Sequence, residues 1–235
     1  MSALLLENIK FSWGKRPGSF GLQLDRLELA KGESVLLTGP SGSGKSTLLG
    51  LICGTLSPGE GSISVLGQSF NTMSGPQRDR FRADHFGIIF QVFNLLPYLS
   101  IIDNVLMPLH FSEVRKLRAG KDVSSRNTEA RRILKALGLE QFDRQKTREL
   151  SIGQQQRAAA ARAFIGAPEI IIADEPTSSL DEGHQANFME LLFAEKDKTG
   201  ASLLMVSHDL RLAHRFDRII SLEDICQITE AGQAA

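Results

Sequence analysis

The chain has very little cysteine: Cys53 and Cys226 are alone among 235 residues. Two isolated thiols offer no metal-ligand spacing; between a disulfide and buried, reduced thiols, they read as the latter. No charge is in excess, with 27 Lys+Arg against 27 Asp+Glu. Without a global positive field, nothing suggests a general nucleic-acid binder. Long hydrophobic runs are missing too. Nowhere do about 18 apolar residues follow one another, so no transmembrane helix is expected and a membrane role must come through a partner. The first ten residues set Glu7 among leucines with no basic stretch ahead of an apolar one, so no signal peptide is expected. Aromatics are scarce at 6%, with Trp13 the single tryptophan. The hydrophobic content, 42%, is that of an ordinary globular chain, and the length suffices for one large domain or a core with a subdomain.

The most informative stretch is Gly39-Pro40-Ser41-Gly42-Ser43-Gly44-Lys45-Ser46-Thr47. Its spacing is G-x-x-x-x-G-K-[ST]. The apolar Val35-Leu36-Leu37 before it reads as a buried strand, and Leu48 to Ile52 after it as the start of a helix. Strand, loop and helix together are the context in which such a loop cradles phosphates. The glycines let backbone N–H groups point inward, and the new helix adds unpaired N–H groups and the positive end of its dipole. Lys45 supplies a charge for the β- and γ-phosphates, and Ser46 a hydroxyl for Mg²⁺. The expected ligand is a nucleoside triphosphate.

Strands are expected over Leu4 to Phe11 and Leu22 to Leu29, with a phase slip at Asp25-Arg26 read as a bulge and a turn from Gly14 to Gly21 between them. Trp13 closes the first strand and is either a core residue or a stacking platform for an adenine ring. Further strands are expected at Ile63 to Leu66, Phe86 to Phe90, Ile170 to Ala173, Leu203 to Val206 and Arg218 to Leu222. From Asn94 to about Arg148 strand patterns vanish, and Ile101 to Phe111 and Glu129 to Leu137 show helical spacing. Between these, Ser112 to Arg132 holds seven Lys/Arg against three Asp/Glu and reads as a solvated basic surface or a contact for lipid headgroups or an acidic partner. Ser151 with Gln154 three residues on forms a capping-box pattern opening a helix to Ile165, and Ala186 to Glu195 is helical. Alternating strands and helices around the loop imply a parallel, doubly wound sheet with its ligand at the carboxyl ends of the strands. The last few residues read as frayed.

Asp174 and Glu175 end a continuous apolar run. Asp174 is placed to hold Mg²⁺, and Glu175 to accept a proton from an attacking water. Leu150-Ser151-Ile152-Gly153-Gln154-Gln155-Gln156-Arg157 then closely resembles the signature sequence of the ATP-binding-cassette (ABC) ATPases. The resemblance covers nearly the whole chain. Gln91 resembles the Q-loop residue, Ser179-Leu180-Asp181 the D-loop, His208 the switch histidine and Trp13 the aromatic A-loop. It implies that Gln91 touches Mg²⁺ and the water, that His208 contacts the γ-phosphate, that the signature residues Ser151, Gly153 and Gln154 face the nucleotide of a second copy, and that Asp181 is nucleotide-binding too. His85, His110, His184 and His214 match no motif and read as structural. The family commonly has Gly where Ile152 stands; as the first helical residue after Ser151, Ile152 has a negative φ and no strain.

The implied fold is α/β: a P-loop NTPase (RecA-like) parallel sheet core with an N-terminal antiparallel β-subdomain and an inserted α-helical subdomain. It forms one ABC ATPase domain over 1–235, with core 1–92 and 149–235 and the helical part at about 93–148. Phe93 to Pro97, Asn104-Val105 and Met107 to Leu109 are similar to the branch of lipoprotein-releasing (LolD), macrolide-exporting (MacB) and cell-division (FtsE) cassettes. The implied function is an ATPase subunit that couples ATP, Mg²⁺ and dimer closure to a separate membrane permease at the inner face of the membrane. The alternative is regulation of cell-wall or cell-division machinery without transport. A DNA-repair ATPase would insert coiled coil or zinc modules between Lys45 and Asp174, where no heptads or Cys clusters occur, and a translation factor of this kind carries two cassettes.

Overall fold

A computed structural model describes residues 1–14, 20–178 and 180–229. Most of the expected Gly14–Gly21 turn, Ser179 of the expected D-loop and the expected frayed end lie outside the described residues. The elements run in the order β1 (Ser2–Ser12), β2 (Gly21–Ala30), β3 (Ser34–Thr38), α1 (Lys45–Ile52), β4 (Glu60–Val65), β5 (Gln68–Ser69), α2 (Gly75–His85), β6 (Phe86–Ile89), α3 (Ile101–Leu106), α4 (Glu113–Ala119), α5 (Val123–Ala136), α6 (Ile152–Phe164), β7 (Ile170–Asp174), α7 (Glu182–Thr199), β8 (Ser202–Val206), β9 (Arg218–Ser221), α8 (Leu222–Ile225) and β10 (Cys226–Thr229). They gather into two compact units, Met1–Arg82 with the chain from Leu204 onward, and Ala83–Leu203.

In the first unit, β10-β2-β1-β4-β5 form an antiparallel sheet. The alternation of the first two strands does slip at Asp25-Arg26, but not through a bulge there. Leu6↔Leu27 and Ile9↔Leu24 lie in one unbroken register, so β1 slips in step with β2. Asn8 absorbs the slip with φ of 50°. The irregularity falls instead between β1 and β4, after Glu7. There Gly61, at φ 93°, comes so close that a Cβ would stand 2.3 Å from the Asn8 carbonyl oxygen, which only glycine permits. In the same unit β3 pairs in parallel with β9, from Val35↔Arg218 to Thr38↔Ser221. The Ser207 N–H donates to the Leu37 carbonyl at 3.1 Å, which seats the end of β8 beside β3. Leu36, Leu37, Leu48 and Leu51 are fully buried, each burial stabilising the fold by about 1.5–3 kcal/mol.

In the second unit β6 pairs in parallel with β7, from Phe86↔Ile170 to Ile89↔Ala173. The apolar run Ile170–Ala173 is buried throughout, as a strand covered on both faces requires. Ile133, Leu134 and Leu137 are buried on one face, as their spacing predicts. The helix expected over Ile101 to Phe111 breaks at Leu106 into a 3₁₀ turn, Met107–His110, that carries Pro108. Proline lacks the N–H that would continue the α-helical ladder. Helices α2, α4 and α8 and strands β5 and β10 have no counterpart in the sequence expectations.

The basic stretch Ser112–Arg132 is not simply a solvated surface. Arg115 is 3% exposed. Its guanidinium donates to the carbonyls of Phe86 (3.0 Å), Ala163 (2.8 Å) and Ile165 (2.8 Å). Burial pushes that guanidinium down to about 10. Arg118 pairs with Glu169 at 2.6 Å, and Arg132 pairs with Glu129 at 2.8 Å and buried Glu195 at 2.5 Å. Sequence charge counts see the cations but not the carbonyls and carboxylates that tertiary packing brings to them.

Candidate active site

In the first unit the loop between β3 and α1 turns through Gly42 (φ 84°) and Gly44 (φ 82°). Gly44 is the N-cap of α1, and no side chain caps the helix. The N–H groups of its first turn are therefore available to an anion, with the helix dipole behind them. A Cβ on Gly39 would lie 2.7 Å from the Ser43 hydroxyl oxygen, and one on Gly44 would lie 3.1 Å from the Leu22 side chain. Glycine at both places lets the loop close this tightly. The Ser43 hydroxyl is buried without a hydrogen-bond partner. The Lys45 ammonium donates to the carbonyls of Gly39 (2.9 Å) and Pro40 (2.7 Å), so it spans the mouth of its own loop.

Trp13 is 61% exposed and so is not a core residue. Its indole N–H donates to the Thr47 hydroxyl at 3.3 Å, and its ring meets Phe11 at 5.4 Å and 89°, an edge-to-face pair. The ring is thus fixed beside α1 while much of it faces solvent. His208 is exposed at the end of β8, in the turn that Ser207 fastens to Leu37. Cys226 and Cys53 are both buried, and burial pushes the Cys226 thiol up to about 12, which makes it inert.

In the second unit Asp174 and Glu175 close β7, both half-buried. Glu175 sits at φ 42°, a left-handed conformation costly for a side-chain-bearing residue and typical of functional turns. Gln91 is exposed just past β6. The Ser151–Gln154 capping box forms as its spacing predicts: the Gln154 N–H donates to the Ser151 hydroxyl (3.3 Å) and the Ser151 N–H to the Gln154 side-chain carbonyl (2.9 Å). Ile152 is the first residue of α6, and its 55% exposed side chain meets no strain. Gly153 has room, since a Cβ there would meet nothing closer than 3.8 Å. Asp181 caps α7, accepting from the His184 N–H at 3.0 Å and facing the His184 ring at 2.7 Å. These bonds hold the Asp181 carboxyl below its usual range.

Three polar residues to which sequence reasoning gave no role of their own organise this second unit. Buried Gln156 of α6 donates to the Pro176 carbonyl, next to Glu175. Arg162, also on α6, donates to the carbonyls of Asn94 (2.6 Å) and Phe93 (2.7 Å). Asn104, fully buried, accepts from the Leu96 N–H (2.8 Å) and donates back to the Leu96 carbonyl (3.1 Å). The available signal was a lone arginine set in the alanines of Ala158 to Ala163: a cation there needs carbonyl partners.

Among the described residues no group of three or more His, Cys, Asp or Glu could hold a metal by itself. The Ser46 hydroxyl in the first unit and the Asp174 carboxylate in the second are each oxygen donors of the kind a hard cation such as Mg²⁺ takes, with phosphate and water as its usual further ligands. No helix among the described residues is long and apolar enough to cross a membrane.

The ABC transporter family model matches residues 22–178. The ABC transporter ATP-binding protein YbbA of Escherichia coli (strain K12) is 41% identical over 196 residues, 83% of either chain. The lipoprotein-releasing system ATP-binding protein LolD of Xanthomonas euvesicatoria pv. vesicatoria is 37% identical over 196 residues, 83% of this chain and 78% of that one. Among solved structures, the dimeric post-hydrolysis state of the cassette MJ0796 bound to ADP and Pi, from Methanocaldococcus jannaschii, superposes with a TM-score of 0.81 at 34% identity, covering 97% of this chain and 98% of that chain. The fold is that of the cassette ATPases, and the chain belongs to the ABC transporter family as an ATP-binding subunit.

Proposed function

We propose that two copies of this chain close on ATP, hydrolyse it, and use closure and reopening to drive a separate membrane permease. The observation that carries this is the uncapped N-terminus of α1 under the Gly39–Thr47 loop, with the exposed Trp13 ring fixed beside it. Adenine stacks on Trp13. The backbone of Gly39, Pro40, Ser41, Gly42, Ser43 and Gly44 surrounds the phosphates, together with Ser46 and Thr47 of the first turn. Lys45 leaves the carbonyls of Gly39 and Pro40 for the β- and γ-phosphates, exchanging two neutral acceptors for charged ones, a stronger bond. Ser46, Asp174 and Gln91 hold Mg²⁺, which when bound neutralises phosphate charge.

Glu175 orients water and takes its proton as the water oxygen bonds to the γ-phosphorus and the bond to ADP breaks. His208 supports the γ-phosphate. Ser151, Gly153 and Gln154, at the N-terminus of α6, complete the site of the second copy, and Asp181 borders it. The helical part at about 93–148 meets the permease, and the chain sits on the inner face of the membrane through that partner. The similarity to a lipoprotein-releasing ATP-binding protein supports the permease reading. Calorimetry with Mg-ATP tests the site: Lys45→Ala should abolish productive binding, and an unchanged affinity would count against it.

A further inference from the structure

We infer that Arg162 is a positioning residue for hydrolysis: it latches the segment behind Gln91 onto the helix that begins at the signature. This rests on the roles proposed above for Gln91 and Ser151. The latch has two ends. At one, the guanidinium on α6 grips two successive carbonyls, Phe93 and Asn94, at 2.7 and 2.6 Å. Asn94 is held at φ 50°, which turns the chain there. At the other, Leu96 is fastened by Asn104 through both backbone groups, and the Thr147 hydroxyl also donates to the Leu96 carbonyl at 2.6 Å. The chain from Phe93 to Leu96 is therefore a short strap with little slack. It begins two residues after Gln91.

Helix α6 is 13 residues long, a rod of roughly 20 Å. Its N-terminus carries the Ser151–Gln154 box, its middle holds the carbonyl beside Glu175 through Gln156, and Arg162 near its end holds the strap. A force on the Gln91 segment is thereby delivered to the helix that carries the signature. A planar guanidinium can serve two carbonyls at once in fixed geometry, which a lysine ammonium on a flexible stem does poorly. Burial also lowers the Arg162 pKa from its ordinary value, so the bonds operate in a partly desolvated place.

The test is a double-mutant cycle on the full-length chain, reading kcat, ATP affinity, melting temperature and hydrogen exchange. Arg162→Lys should lower kcat roughly 10- to 100-fold, the scale of a misplaced catalytic group, with ATP affinity unchanged. Exchange at 92–96 should speed up. In a Gln91→Ala background the same change should cost almost nothing more, because the latch acts through Gln91. A purely structural arginine would lower the melting temperature and add its kcat effect in full to that of Gln91→Ala, which overturns the inference. If Gln91→Ala alone leaves kcat intact, the role of Gln91 falls and the latch with it. Should Arg162→Lys fail to fold, Asn94→Gly loosens the strap from the other side while permitting the same φ. Its kcat should fall too, and a wild-type kcat there overturns the inference.

Discussion

Removing the indole of Trp13 separates the two readings of that residue most simply. A core tryptophan would bury most of its area, and its truncation to alanine would cost about 3–5 kcal/mol of stability. Here the side chain is 61% exposed, leaning on Phe11 and held by one hydrogen bond of 3.3 Å to Thr47. The expected stability loss is therefore small, about 1 kcal/mol for the edge-to-face pair and the hydrogen bond together. Nucleotide affinity should carry the larger signal. A stacked adenine is worth about 0.5–1.5 kcal/mol, so Trp13→Ala should weaken ATP binding by about 2- to 13-fold, and Trp13→Tyr should recover most of it. Because Trp13 is the only tryptophan, its fluorescence reports on its own site and should change on adding ATP. Calorimetric titration of both variants, with thermal melts as control, decides the matter. A large drop in melting temperature with unaltered ATP affinity and silent fluorescence would refute the reasoning.

Other outcomes follow from single residues. Glu175→Gln keeps shape but loses the base, so hydrolysis should fall by ~10²–10⁴ while ATP still binds, visible as an ATP-bound dimer on gel filtration. Glu175→Gly should be equally inactive yet more stable by about 1 kcal/mol in denaturant unfolding, since glycine relieves the φ of 42°. Burial alone would raise the Glu169 carboxyl, but hydrogen bonds from His85 and Arg118 outweigh it and hold the group down at about 2. Its stabilisation is complete above the unfolded value of about 4.3 and is lost as pH falls toward about 2. The melting-temperature gap between wild type and Glu169→Gln should therefore close across that window, and a constant gap would contradict the pairing.

The parts of the molecule that local pattern controls were legible in the sequence. The loop at Gly39–Thr47 declares itself by spacing, and β7 by four apolar residues before Asp174. The start of α6 is set by a serine and a glutamine that need only each other. What sequence did not reveal depends on partners distant along the chain. Arg115 and Arg162 read as surface charge or passed unnoticed because their acceptors are backbone carbonyls, which every residue carries and no composition betrays. The coordinated slip of β1 and β2 showed as a phase error in one strand, but its remedy lies at Asn8 in the other. The left-handed Glu175 has no sequence mark at all. Roles for Gln91, His208 and Asp181 came from the family resemblance, since their types and spacing alone would not have selected them.

The central claim is that each ATP lies between the loop of one copy and the signature of another. A two-fold dimer builds two such sites at once. Pairing a Lys45→Ala chain with a Ser151→Arg chain puts both lesions in one site of the mixed dimer and neither in the other. Neither variant alone should form an ATP-dependent dimer. Mixed, they should recover dimer formation and trap one nucleotide per dimer, though steady turnover stays low if both sites must act together. If loop and signature served one site within a single chain, every site would carry a lesion, and mixed dimers shown to form yet trapping no nucleotide would contradict the account.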